Sequence, residues 1–122
     1  YYANYLRFFE RGRGASMRSI GFPYGDVEKQ GFFLPVTHAE LTYKRSARFD
    51  DLLAIETSLM ELGRARIRFS YEVCRGDPGS RLLLCTGETT HVCVDRDGHP
   101  VRIPGIIRDG LCKLSTTNRA GD

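Results

Sequence analysis

The chain has 122 residues, 41% of them hydrophobic and 27% charged, with a formal net charge of +3. That length suits a single domain over residues 1–122, able to bury roughly two thirds of the surface its unfolded form exposes without a metal or a disulfide. The composition excludes a disordered or membrane-spanning chain, and the modest charge, although it favours an anionic ligand, is too small for the basic stripe of a nucleic-acid binder.

There is no cleavable signal, lipidation motif or run of about 18 apolar residues, so the expected compartment is the reducing cytoplasm, with no membrane partner. Cys74, Cys85, Cys93 and Cys112 form no C-x-x-C pair, and three of them lie in apolar, strand-like runs. They are expected to be buried free thiols. The chain opens at Tyr1 without a methionine, inside an aromatic run, as a fragment would.

Residues 5–20 place Tyr5, Leu6, Phe8, Phe9, Met17 and Ile20 partly on one helical face and Arg7, Arg11, Arg13 and Arg18 on the other. Asn4 is the expected N-cap, because its side chain can accept from the free N–H groups of the first turn. Gly12 and Gly14 weaken the helix, each by up to about 1 kcal/mol relative to alanine, which points to something packing closely there. Gly21, Pro23 and Gly25 end the pattern, and a loop is expected to follow to about residue 31.

Beyond that loop the period becomes two. Residues 32–48, 51–62 and 64–75 read as strands, the last with Ala65, Ile67, Phe69, Tyr71 and Val73 on one face. A fourth strand is expected over residues 81–94. Gly63 and the Gly76-Asp77-Pro78-Gly79 turn join the last three strands into an antiparallel meander. Asp97-Gly98 marks another turn, a short helix is expected over residues 105–113, and the polar tail from Ser115 is expected to be loose. One long helix followed by such a meander is an α+β pattern in which the sheet curls round the helix.

The chemical signals are sparse. His38, His91 and His99 are scattered, with no Asp, Glu or Cys read at ligand spacing, so packing or surface duties are expected and no metal is assigned. No G-x-S-x-G elbow, P-loop or G-x-G-x-x-G is present. Glu10 follows Phe8-Phe9 at the edge of the prospective core. It could carry a raised pKa and serve as acid or base, or it could pair with Arg7 or Arg13 at helical spacing. Arg64, Arg66 and Arg68 share one strand face, either as a solvated surface or as a phosphate contact.

Three stretches resemble the hotdog-fold thioesterases of the 4-hydroxybenzoyl-CoA thioesterase type. Tyr2-Ala3-Asn4-Tyr5-Leu6-Arg7-Phe8-Phe9-Glu10 is similar to the opening of that family's central helix. Ala47-Arg48-Phe49-Asp50-Asp51-Leu52-Leu53-Ala54-Ile55-Glu56-Thr57 and Arg66-Ile67-Arg68-Phe69-Ser70-Tyr71-Glu72-Val73 are similar to two of its long strands. With residues 87–94 and 100–104, the likeness covers nearly the whole chain in order and spacing.

The resemblance implies a five- or six-stranded antiparallel sheet wrapped round the helix, and a homodimer or homotetramer with sites at the subunit interface. The implied activity is hydrolysis of an acyl-CoA thioester to free acid and thiol, on short-chain or aromatic acyl groups, without metal or organic cofactor. The helix N-terminus would stabilise the developing oxyanion, with the backbone N–H of Tyr2 as donor. The family's catalytic Asp falls on the loop before the matching tyrosine, upstream of Tyr1, with the N-terminal strand also expected there. Glu10 is the substitute carboxylate in this chain or a lining group of the acyl pocket. Asn4 orders the oxyanion site or caps the helix. Arg64 and Arg66 of a second subunit fall near the family's basic CoA-phosphate contacts, with Lys44 and Arg48 as weaker candidates. The alternatives are a non-catalytic hotdog protein binding acyl-CoA or an acyl-carrier protein, and a hotdog dehydratase, against which the isolated histidines speak.

Overall fold

The computed structural model describes residues 3–46, 52–77 and 79–120, with side chains from Tyr5 to Leu114. Its elements are α1 (Ala3–Ser19), α2 (Tyr24–Lys29), β1 (Val36–Tyr43), β2 (Leu53–Leu62), β3 (Arg66–Arg75), β4 (Leu82–Val92) and α3 (Gly105–Ala120). The strands form one antiparallel sheet in the order β1-β4-β3-β2. Each pairing carries a register shift, at Val36/His38, Leu59/Glu61 and Val73/Cys74. Such irregularities bend and twist a sheet locally, which lets it curl round a helix.

The two central strands supply the floor of the core. Ile67, Phe69, Tyr71 and Val73 alternate along β3 and are almost fully buried, as are Thr89 and His91 on β4. Helix α1 lies on this face with Tyr5, Phe9 and Met17 buried, and α3 closes the same core with Ile107, Leu111 and Leu114. The spacing of four between Tyr5 and Phe9, and of eight to Met17, keeps these side chains in one stripe.

Two glycines let helix and sheet touch backbone to side chain. A Cβ on Gly12 would overlap the Thr57 hydroxyl on β2, and a Cβ on Gly87 would overlap the Phe9 ring and stand 2.9 Å from the Glu40 carbonyl oxygen. The expected close-packing role of Gly12 is therefore present. Phe9 uses the space over Gly87 to stack on Tyr71, with centroids 4.3 Å apart and planes within 7°.

The four strands read from the periodicity form the sheet among the described residues. Other expectations require correction. β1 covers only part of residues 32–48, because Phe33 makes just an isolated bridge to Val94. The 21–31 loop contains α2, whose Val27 is buried and whose N-cap is Pro23, with the Pro23 carbonyl accepting from the Asp26 and Val27 N–H groups. Asn4 lies within α1 rather than at its N-cap. Helix α3 continues to Ala120, through the tail expected to be loose.

Gly87→Ala is expected to destabilise the protein by about 2 kcal/mol, since the added methyl meets a stacked ring on one side and backbone on the other. The measurement is equilibrium urea unfolding, and an unchanged midpoint would refute this account of the helix–sheet contact.

Candidate functional site

The amino end of α1 lies against the end of β1. The Tyr5 ring meets the Tyr43 ring edge-on at 5.5 Å and the Phe8 ring at 5.8 Å. No acidic residue occupies the first turn, so the unpaired N–H groups and the positive end of the helix dipole are not neutralised by the helix itself. Tyr2, the expected oxyanion donor, lies outside the described residues. Asn4 has its backbone in the first turn, and its side chain lies outside the described set.

Glu10 is the sole carboxylate in the α1 sequence. It is exposed and turned away from the sheet, where it lines an open cleft of about 420 Å³ with Arg7, Arg11, Gly14, Arg18 and Tyr24. It makes no ion pair with Arg7 or Arg13 among the described residues.

Arg64 and Arg66 stand elsewhere. Arg66 opens β3 and pairs in register with Val92, whereas Tyr43, beside the α1 amino end, pairs with Cys85 and through it with Val73. The seven residues from Arg66 to Val73 along β3 correspond to about 23 Å, so one chain does not bring these arginines to the helix N-terminus. Arg64 precedes the strand and is exposed; its carbonyl accepts from Ile103 N–H at 2.9 Å and from Arg108. Arg66 is engaged by Glu61 through two contacts, Nε to Oε1 at 3.1 Å and an Nη2 to Oε2 bond at 3.2 Å. Exposed ion pairs of this kind contribute little stability, leaving the guanidinium exchangeable.

The feature that sequence reasoning missed is a buried polar chain beneath α1. Arg13 donates to the Tyr71 hydroxyl at 3.5 Å, Tyr71 and Thr89 share a 2.5 Å bond, Thr89 and His91 Nε2 a 2.8 Å bond, and His91 Nδ1 meets the Leu34 carbonyl at 2.9 Å. Its direction follows from its ends. A carbonyl only accepts and a guanidinium only donates, so Nδ1 carries the His91 proton, Nε2 accepts from Thr89, and Thr89 accepts from Tyr71. Burial lowers the His91 pKa from 6.5 to about 4 and raises that of Tyr71. The neutral imidazole that the chain requires is thus the form burial favours. Position 13 continues the 5-9-17 stripe, which was the available signal; a charged residue was instead assigned to the solvent face.

The thiols and the histidine surroundings also differ from expectation. Cys85 and Cys93 are buried and Cys74 is partly so, but Cys112 is exposed on α3. Asp95, Asp97 and His99 gather ligand atoms within 4.8 Å, a spacing the sequence reading overlooked. The Asp95 carboxylate is occupied in accepting from the backbone N–H groups of Asp97 and His99 at 2.9 and 3.0 Å, as a turn-forming aspartate does. No helix among the described residues is long and apolar enough to cross a membrane.

A helix cradled by a curled antiparallel sheet, with its amino end at the sheet margin, is the hotdog arrangement. The chain belongs to the thioesterase-like superfamily, whose family model matches residues 1–111. A protein of Aquifex aeolicus is 34% identical over 111 residues, covering 91% of this chain and 83% of the relative. Acyl-CoA thioesterase YbgC of Haemophilus influenzae is 33% identical over 96 residues, covering 78% and 68%. The crystal structure of a DHNA-CoA thioesterase from Staphylococcus aureus superposes with a TM-score of 0.86 at 29% identity, covering 100% of this chain and 83% of that one. The resemblance read from the sequence is borne out in both superfamily and fold.

The low pKa of His91 has a consequence for stability. Between about pH 6.5 and pH 4 the unfolded chain binds a proton at His91 that the folded chain does not, so stability is complete above pH 6.5 and declines as the pH falls. From pH 7 to pH 5 the loss from this group is expected to be about 2 kcal/mol. His91→Gln, which keeps one donor and one acceptor but cannot titrate, should flatten the pH dependence of the urea midpoint over that interval; an equally steep slope in the variant would refute the assignment.

Proposed function

We propose that the protein is an acyl-CoA thioesterase, hydrolysing the thioester of a short-chain or aromatic acyl-CoA to free acid and CoA. The observation that carries this reading is the placement of the α1 amino end among aromatic rings at the sheet margin, within a superfamily whose relatives include an acyl-CoA thioesterase and a DHNA-CoA thioesterase. As water attacks the thioester carbonyl, the oxygen gains negative charge and the sulfur leaves as thiolate, to be protonated. A helix N-terminus, with the Tyr2 N–H as the donor that the resemblance implies, would stabilise that oxyanion.

The water requires a base. The family pattern assigns this task to an Asp ahead of the helix; within the described residues the reading nominates Glu10, which faces away from its own sheet toward a cleft. In a homodimer or homotetramer, Arg64 and Arg66 of a second subunit would meet the CoA phosphates, which the 23 Å separation within one chain denies them. The β1 edge supports pairing between subunits: it is hydrogen-bonded on one side to β4, with Val36 and Tyr43 each 45% exposed. A long uncovered edge strand is a ready template for a second chain. The reading places the protein in the cytoplasm, where acyl-CoA is made and consumed.

Thiol release by the full-length protein from a panel of acyl-CoAs tests this reading. Binding of acyl-CoA without thiol release from any member would leave the binding-module alternative in its place. Glu10→Gln is expected to lower kcat by about a hundredfold, the scale of a lost general base; an unchanged rate would remove Glu10 from the chemistry.

A further inference from the structure

The outward face of α1 carries charges that the fold does not use. Arg7, Arg11, Gly14 and Arg18 follow one another at intervals of four, three and four, so they form a single row along the helix. None of the three arginine side chains, nor Glu10 beside them, makes a hydrogen bond or ion pair with a described residue. Arg11 only leans over the Phe8 ring, with its guanidinium carbon 6.0 Å from the centroid. Three guanidinium groups therefore border one cleft against a single carboxylate.

That arrangement runs against the helix's own preferences. Arg7 and Arg11 are like charges one turn apart, which disfavours the helix. A local rule broken without compensation within the fold is expected at functional sites. The cleft has the parts of an anion receptor. Gly14 presents no side chain, leaving Arg18 Nη1 3.5 Å from where its Cβ would stand. Tyr24 closes the side; its buried hydroxyl stands beside the Arg13 guanidinium but makes no well-formed hydrogen bond with a described residue. Burial pushes the Tyr24 pKa up to about 12, opposed in part by nearby Arg13, so the hydroxyl keeps its proton at neutral pH and is available as a donor.

We propose that the outward cleft of α1, walled by Arg7, Arg11 and Arg18 and closed by Tyr24, is a binding site for a phosphate-bearing anion. Guanidinium groups suit phosphate because their planar N–H forks match its oxygens in pairs, and the protonated Tyr24 hydroxyl adds a fourth donor. Glu10 at the rim limits the charge and sets the position of the anion. The cleft shares Glu10 with the proposed hydrolytic chemistry, but pyrophosphate binding requires no thioester, so failure of one reading is distinguishable from failure of the other.

Isothermal titration of the full-length protein with inorganic pyrophosphate tests the proposal. One site per chain is expected. Arg11→Gln should weaken binding about tenfold, as loss of a charge-assisted contact does, and Tyr24→Phe roughly threefold. Glu10→Gln should tighten it. Arg102→Gln, an exposed arginine outside the cleft, should leave it unchanged. Absence of binding by the wild type, or equal weakening by Arg102→Gln and Arg11→Gln, would overturn the site. Should Tyr24→Phe not fold, the exposed Arg11→Gln and Glu10→Gln still decide through their opposite signs. Competition by free CoA would identify the nucleotide end of that molecule as the phosphate source, and its absence a separate phosphate ligand; both results uphold the receptor.

Discussion

The structure depends on how closely α1 can approach the concave face of its sheet. Two missing side chains permit it, one on each surface: Gly12 leaves room for Thr57, and Gly87 leaves room for Phe9. With a β-carbon at Gly87 the Phe9 ring could not lie flat on Tyr71, and the helix would have to lift away from the strand that floors the core. Interiors packed to crystal-like density do not absorb such shifts locally. The position of the amino end of the helix, on which the proposed chemistry relies, is therefore fixed in large part by two glycines some way along the helix and sheet. The approach has a cost, because the Thr57 hydroxyl is buried beside Gly12 with no hydrogen-bond partner among the described residues.

The polar chain from Arg13 to Leu34 complements this contact. Apolar packing holds a helix against a sheet without specifying its slide along the axis, whereas directed hydrogen bonds fix position and orientation together. Every member is partnered, and the chain has only one self-consistent direction, so it tolerates burial that a half-satisfied set would not. It ties α1 to β3, β4 and the segment leading into β1.

Much of the fold was legible in sequence because two periods announce it. The 2.0 pattern of Ile67, Phe69, Tyr71 and Val73, and the turn at Gly63, define the meander without further information. The failures have physical causes. Helix α2 is six residues long, too short for a periodic signal, and exists because Val27 has a core to enter. The extent of α3 was underestimated because a polar composition was read as loose while packing at Ile107, Leu111 and Leu114 carries the helix forward. Of the site residues, Glu10 is nominated by type and place, and it lines a cleft on the outer side of α1. The separation of Arg66 from the helix end emerges only from strand register, and the engagement of Arg66 by Glu61 depends on a bulge in β2 that no spacing rule predicts.

Arg13 and its neighbours show why charge alone is a poor guide to helix orientation. Arginines at 7, 11, 13 and 18 look like one solvated face, yet position 13 belongs to the row 5-9-13-17 that meets the sheet, and the others to the row 7-11-14-18 that leaves it. The long aliphatic stem lets Arg13 cross apolar surroundings while its head group reaches Tyr71. The outer row has no such destination. A helix whose inner row packs on the sheet and anchors a polar chain, and whose outer row is unpaired among the described residues, divides its labour by face: one side holds the fold, and the other is free to meet an anion.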